Sequence, residues 1–127
     1  VTGVQTCALP IYKRKVASEK ASAILASYLE RVVREGSGKQ AYIEGYKVGG
    51  KTGTAQKYVD GRIAQGKNVM SFVGFFPADK PLYLALAVVD EPVGGAYGST
   101  VAAPLVKEVF EEIIKLKKIA PSEKTEG

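Results

Sequence analysis

The sequence predicts an α/β chain of the α+β kind: three antiparallel strands flanked by an N-terminal and a C-terminal helix. Three observations predict it. Apolar residues recur at helical spacing from Ser18 to Val33 and again from Thr100 to Ile119. Between them lie two runs, Val69–Phe76 and Leu82–Val89, that are apolar at nearly every position, as strands covered on both faces are. The link between those runs, Pro77-Ala78-Asp79-Lys80-Pro81, is short enough for an antiparallel hairpin and too short for a crossover.

The first segment stands apart. Val1–Ile11 reads over its whole length as one translated frame of a common sequencing-library adapter, and is set aside as a fusion scar would be. A signal fragment would want a basic start and a longer apolar run. Cys7, the single cysteine, goes with it and carries no redox information. Deleting a segment that was never selected to pack is expected to change stability by no more than about 0.5 kcal/mol. The authentic sequence then begins near Tyr12. Residues 12–120 read as part of a longer domain and residues 121–127 as a polar tail.

Ser18 is a good N-cap for the first helix, whose apolar positions Ala21, Ile24, Leu25, Tyr28, Leu29, Val32 and Val33 make one face to be buried. Gly36 ends it where left-handed backbone is wanted. Lys39–Lys47 reads as loop or a short extended piece. The first strand spans about Tyr46 to Tyr58 and turns at Asp60-Gly61, a hairpin signal. The chain then returns through Arg62-Ile63 and a flexible stretch, Gln65-Gly66-Lys67-Asn68, before the second strand. Glu91–Gly98 is a Gly-rich loop. In the second helix the stripe is Val101, Leu105, Val109, Ile113 and Leu116, widened by Val106, Phe110 and Ile114, and Pro104 is tolerable only in the first turn. If both helices share one face of the sheet, the other face needs a layer from outside this chain. It would otherwise expose an apolar patch above the ~300–600 Å² of a typical monomer.

Composition narrows the function. The 127 residues are 46% apolar and 24% charged, with a net charge of +5 that is scattered apart from Lys13-Arg14-Lys15 and Lys115-Leu116-Lys117-Lys118. Those runs read as solvated element ends, so no nucleic-acid partner is expected. No apolar run approaches the ~20 residues of a membrane span. There is no histidine, which removes the usual general base and the commonest metal ligand. Neither a metal nor a cofactor is expected.

The chemistry is concentrated in Gly49-Gly50-Lys51-Thr52-Gly53-Thr54, which puts one cation, two hydroxyls and three glycines in six residues. An ammonium beside hydroxyls suits a carboxylate, and glycine lets a ligand approach bare backbone. Gly45, then four residues, then Gly50-Lys51-Thr52 also satisfies the phosphate-loop pattern of a nucleotide hydrolase, with Asp90 in the place of a magnesium ligand. A phosphate loop, however, runs from a buried strand into a helix. Here a polar stretch precedes Gly45 and a β-like run follows Thr52.

Four segments together resemble the transpeptidase domain of class B penicillin-binding proteins, the division or sporulation type. They are Val48–Gln56 with its Lys-Thr-Gly, Ser71–Asp79, Val88–Pro92 and Ala102–Pro104, within a resemblance covering Ser18 to Ile119. The resemblance implies the C-terminal part of a penicillin-binding-protein-like sandwich. It implies a parent anchored in the cell membrane, with this domain on the extracytoplasmic face, acting in cell division or cell shape. Its partners would be peptidoglycan stem peptides, β-lactams and the missing N-terminal part of its own domain. Lys51 and Thr54 would be catalytic. Thr52, Gly53, Thr54 and Gln56 would bind substrate, and the Thr54 N–H would be half of the oxyanion hole. The family's Ser-x-x-Lys and Ser-x-Asn motifs are absent: no serine has lysine three positions on or asparagine two positions on. The chain alone is therefore expected to be inactive. A β-lactamase or β-lactam sensor of related fold, or a non-catalytic cell-wall-binding piece, is the alternative within the same resemblance.

Three further readings are local. Asp90 and Glu91 are either paired catalytic carboxylates or, as general burial preferences favour, a strand-end cap. Tyr42, Tyr46 and Tyr97 either line a peptide cleft or pack half-buried. Tyr97-Gly98 lies in a loop placed to close over the Lys51 edge. Lys51 and Thr52 fall on opposite faces of a strand, so both serve one site only if a cleft runs along the strand's edge.

Overall fold

The computed structural model describes residues 14–93 and 97–122, so the adapter-like Val1–Ile11 and most of the polar tail lie outside the described residues. Helix α1 (Glu19–Glu35) is followed by a short 3-10 turn (Lys39–Ala41), strands β1 (Gly49–Val59), β2 (Arg62–Phe76) and β3 (Tyr83–Asp90), a single helical turn α2 (Gly98–Val101) and helix α3 (Ala103–Lys117). The three strands form one antiparallel sheet in the order β1-β2-β3. That is the predicted class and order.

Ser18 does cap α1: its Oγ accepts from the Ala21 N–H at 3.1 Å, satisfying a donor that the first turn leaves open. Gly36 ends the helix, but not in left-handed backbone. Its φ is −115° and its N–H bonds Val32 O, which the Gly38 N–H also reaches. Glycine is wanted there for room, since a Cβ would sit 3.0 Å from Val32 O. The predicted buried face of α1 is mostly open. Val33 is buried, whereas Ile24, Leu25 and Tyr28 are exposed. The helix lies along β1, at the margin of the sheet, and too little sheet stands under its first turns to cover the stripe.

Asp60 (φ 51°) and Gly61 (φ 74°) make the predicted tight turn, both in the left-handed region that such hairpins demand. The stretch Gln65–Asn68 is not a flexible loop. It belongs to β2, which runs unbroken from Arg62. The register absorbs it: Gln56 pairs with Asn68 and Tyr58 with Ile63, so Lys57 alone stands opposite Ala64–Lys67. Gly66, at φ 77°, supplies the kink such a bulge requires.

Alternation sorts the sheet into two faces. Met70, Phe72, Gly74 and Phe76 of β2 are buried, with Ala85, Ala87 and Val89 of β3 beside them, against Val106 and Phe110 of α3. The helix predicted over Thr100–Ile119 is broken at Ala102. Pro104 lacks the N–H that would bond Thr100 O, so α3 restarts with Pro104 in its first turn. The buried stripe is Ala103, Val106 and Phe110, while Leu105, Val109 and Leu116 are exposed. Gly74 selects this rotation: a Cβ there would stand 2.7 Å from Val106 Cγ1 and 3.1 Å from Phe110 Cε2. The bare backbone is a socket for those two side chains.

The opposite face carries Val69, Ser71, Val73 and Phe75 with Leu84, Leu86 and Val88. Leu84, Leu86 and Val88 remain 74%, 64% and 57% exposed. Ser22, Leu25, Ala26 and Leu29 of α1 come near, lining a groove of about 300 Å³ with Phe75, Pro81 and Leu84.

Candidate active site

Among the described residues, strand β1 is an outer strand, paired with β2 alone. The Gly49–Gln56 segment therefore has one edge without a strand neighbour among the described residues. Its three glycines do different things. Gly49 and Gly50 are buried, and a Cβ on either would enter the ring of Phe75 (2.3 Å) or Phe72 (2.4 Å). They admit the core, not a ligand, which corrects the expectation that all three bare the backbone for one. Gly53 is half-buried, opposite Ser71, whose Oγ would stand 2.5 Å from a Cβ there.

Lys51 is exposed. By alternation it belongs to the Val73 face and Thr52 to the Phe72 face. The lysine stem nevertheless folds back, and Nζ donates to Thr52 O at 2.8 Å. Ammonium and threonine thus meet at the strand's main chain although their side chains leave opposite faces. Residues two apart on a strand present their N–H and C=O at the same edge, so the Thr54 N–H stands on the side of that Thr52 carbonyl. The Thr54 hydroxyl donates to Met70 Sδ at 3.4 Å across the strand pair. Gln56 is exposed at the last paired position before the bulge, opposite Asn68.

Asp90 and Glu91 do not form a free carboxylate pair. Lys57 Nζ donates to Asp90 Oδ1 and to Glu91 Oε1, both at 2.9 Å, and Lys67 stands 3.6 Å from Glu91. Glu91 (φ 47°) ends β3, with its N–H on Asn68 O. These residues close the strand end. The hydrogen bond that Lys57 donates to Glu91, and then the one it donates to Asp90, raise the Lys57 pKa, and the bond to Glu91 lowers that of Glu91. Nothing in the sequence pointed to Lys57, because its partners are 33 and 34 residues away and only the bulge aims it at them. Tyr46 packs: its ring meets Phe76 edge-on at 5.9 Å and its OH donates to Ile119 O. Tyr42 and Tyr97 are exposed.

The helix that a phosphate loop requires after Lys51-Thr52 is absent, for the chain stays in strand to Val59. Asp90, the would-be magnesium ligand, is taken by Lys57. An α+β sheet whose outer strand presents a lysine, two threonines and a glycine is a frame for holding an anionic, extended ligand along an edge. Residues 5–111 match the family model for the penicillin-binding protein transpeptidase domain, and the chain belongs to that family. The match begins inside the adapter-like stretch and takes in α1, the whole sheet and most of α3.

Stage V sporulation protein D of Bacillus subtilis is 47% identical over 104 residues, 81% of this chain and 16% of that protein. Among solved structures, the transpeptidase domain of Burkholderia pseudomallei penicillin-binding protein 3 is 34% identical with a TM-score of 0.68, over 79% of this chain and 31% of that one. Penicillin-binding protein 3 of Mycobacterium tuberculosis gives 0.74 at 27% identity, over 85% and 27%. The chain thus spans about a sixth of its sporulation relative and about three tenths of these structures.

Proposed function

We propose that this chain is the C-terminal part of the transpeptidase domain of a class B penicillin-binding protein. Its parent is a peptidoglycan D,D-transpeptidase that joins stem peptides by acyl transfer through a serine and is acylated by β-lactams, on the extracytoplasmic face of the membrane. The observation that carries this reading is the Lys51 ammonium resting on an outer strand's own carbonyl, one residue from Gly53-Thr54. Lys51, with the Thr52 and Thr54 hydroxyls, would take the ligand carboxylate, and the extended substrate would lie along the β1 edge beside Gly53 and Gln56. The Thr54 N–H would meet the oxyanion that forms when the serine attacks the carbonyl, a donor whose loss costs on the order of 3–4 kcal/mol in barrier. The serine and its lysine base belong to the part of the domain outside this sequence, since acylation needs both within hydrogen-bond reach.

The experiment is incubation with a labelled penicillin followed by intact mass measurement. The parent domain containing a Ser-x-x-Lys is expected to form a lasting one-to-one adduct and the chain alone none. An adduct on a serine of the chain alone would overturn the division of labour. An unreactive parent would overturn the transpeptidase reading. Rapid loss of the adduct by hydrolysis would favour a β-lactamase.

A further inference from the structure

The turn α2 sits directly on the β1–β2 ladder at the segment just described. Gly98, its first residue, is buried. A Cβ on Gly98 would stand 2.7 Å from Gly53 O, 2.8 Å from Ser71 O and 3.5 Å from Ser71 N. All three are main-chain atoms of one paired position, Gly53 opposite Ser71. No side chain can swing aside to make room, so any residue but glycine must displace either α2 or the ladder. The two are not equally free to move. Tyr97 N donates to Thr100 Oγ1 at 3.0 Å, Ala102 N donates to Gly98 O at 3.1 Å, and the Ala102 and Ala103 side chains that follow are fully buried in the core. Among the described residues, strand β2 is paired on both sides, whereas β1 has a strand neighbour on one side only. The compliant partner is β1.

We propose that Gly98 is a positioning residue: by letting α2 rest on bare backbone it sets where the Thr52–Thr54 edge of β1 lies, and so where the Thr54 N–H points. Its effect on catalysis rests on the transpeptidase reading; its hold on β1 does not.

Two measurements separate these. In the chain labelled with 15N and carrying Leu84→Thr, Leu86→Thr and Val88→Thr on the exposed sheet face to keep it monomeric, Gly98→Ala is expected to move the amide signals of Gly53, Thr54 and Ser71, leaving those of Ala21–Val33 in place. The neighbouring Ser99→Ala should leave all of them unmoved. Changes confined to residues 97–103 would overturn the proposal. In the parent, Gly98→Ala is expected to slow acylation by labelled penicillin between about tenfold and a hundredfold, the scale of an ångström-sized misplacement. Half-saturation should stay as in the wild type, while the melting temperature falls, because the added Cβ overpacks main-chain atoms. Thr100→Ala, which loosens α2, should restore part of the rate when combined with Gly98→Ala. Should Gly98→Ala not fold, Thr100→Ala alone must shift the Gly53 and Thr54 signals, and unmoved signals would overturn the proposal. Wild-type acylation in a folded Gly98→Ala parent would overturn it as well. An unreactive wild-type parent would instead sink the transpeptidase reading, and the amide signals would still decide what Gly98 holds.

Discussion

At the residue scale, the Lys51 ammonium rests on a neutral carbonyl 2.8 Å away and is exposed. A ligand carboxylate need displace only one bond to a neutral acceptor, and replaces it with an ion pair in which donor and acceptor are both charged. In the parent, Lys51→Ala should therefore sharply reduce acylation by β-lactams while the melting temperature holds, because an exposed lysine contributes little burial. Lys51→Arg should restore only part of the rate, since a planar fork does not replace a point charge. Wild-type acylation in the alanine variant would remove Lys51 from the site.

Lys57 makes a different, pH-dependent contribution. Its bond lowers the Glu91 pKa from 4.5, so that stabilisation is complete above 4.5 and is lost as pH falls through the depressed value. The Lys57 pKa is raised from 10.5, so its part is complete below 10.5 and is lost as pH rises beyond the raised value. Lys57→Met should flatten both limbs of the melting-temperature profile against pH, and an unchanged profile would show that the cluster contributes nothing. The two lysines also differ in legibility. Lys51 is announced by its immediate neighbours, whereas Lys57 is defined by a register shift that no local pattern encodes.

At the scale of elements, starts and turns were readable because their chemistry is local. Ser18 caps through a donor three residues on, and Asp60-Gly61 turns through its own backbone. The face of a helix was not. Residues 101–116 of the C-terminal helical region carry an apolar arc wide enough for two stripes, and periodicity alone centres it on Leu105 and Val109. The partner decides, and the partner is an absence: the missing side chain of Gly74 receives Val106 and Phe110. Gly74→Ala should test this. With ring and methyl atoms 2.7–3.1 Å from the added Cβ, overpacking is expected to destabilise the chain by about 1–3 kcal/mol, read from denaturant unfolding. A neutral alanine would mean that the socket is looser than its geometry. The glycines of the Lys-Thr-Gly segment repeat the lesson: Gly49 and Gly50 make room for the rings of Phe75 and Phe72 respectively, partners that no local pattern encodes.

At the scale of the molecule, the doubly apolar strands imply a sheet covered twice, and α3 covers it once. Leu84, Leu86 and Val88 occupy alternate positions of β3, so their side chains form one row, and the paired Phe75 and Val73 extend it onto β2. That row lies on an outer strand whose remaining main-chain groups have no strand partner among the described residues. An exposed apolar row beside an unpaired edge favours association between copies. The isolated chain is expected to sediment as oligomers at micromolar concentration. Leu84→Thr, Leu86→Thr and Val88→Thr together should return it to monomer, because threonine keeps the β preference while removing apolar surface. Each side chain is more than half exposed, so the cost in stability should be small, about 0.5 kcal/mol or less per site. Sedimentation velocity decides the matter. A monomeric wild-type chain would mean that α1 swings over the row in solution, and a triple variant that still associates would move the sticky surface to the α3 stripe of Leu105, Val109 and Leu116.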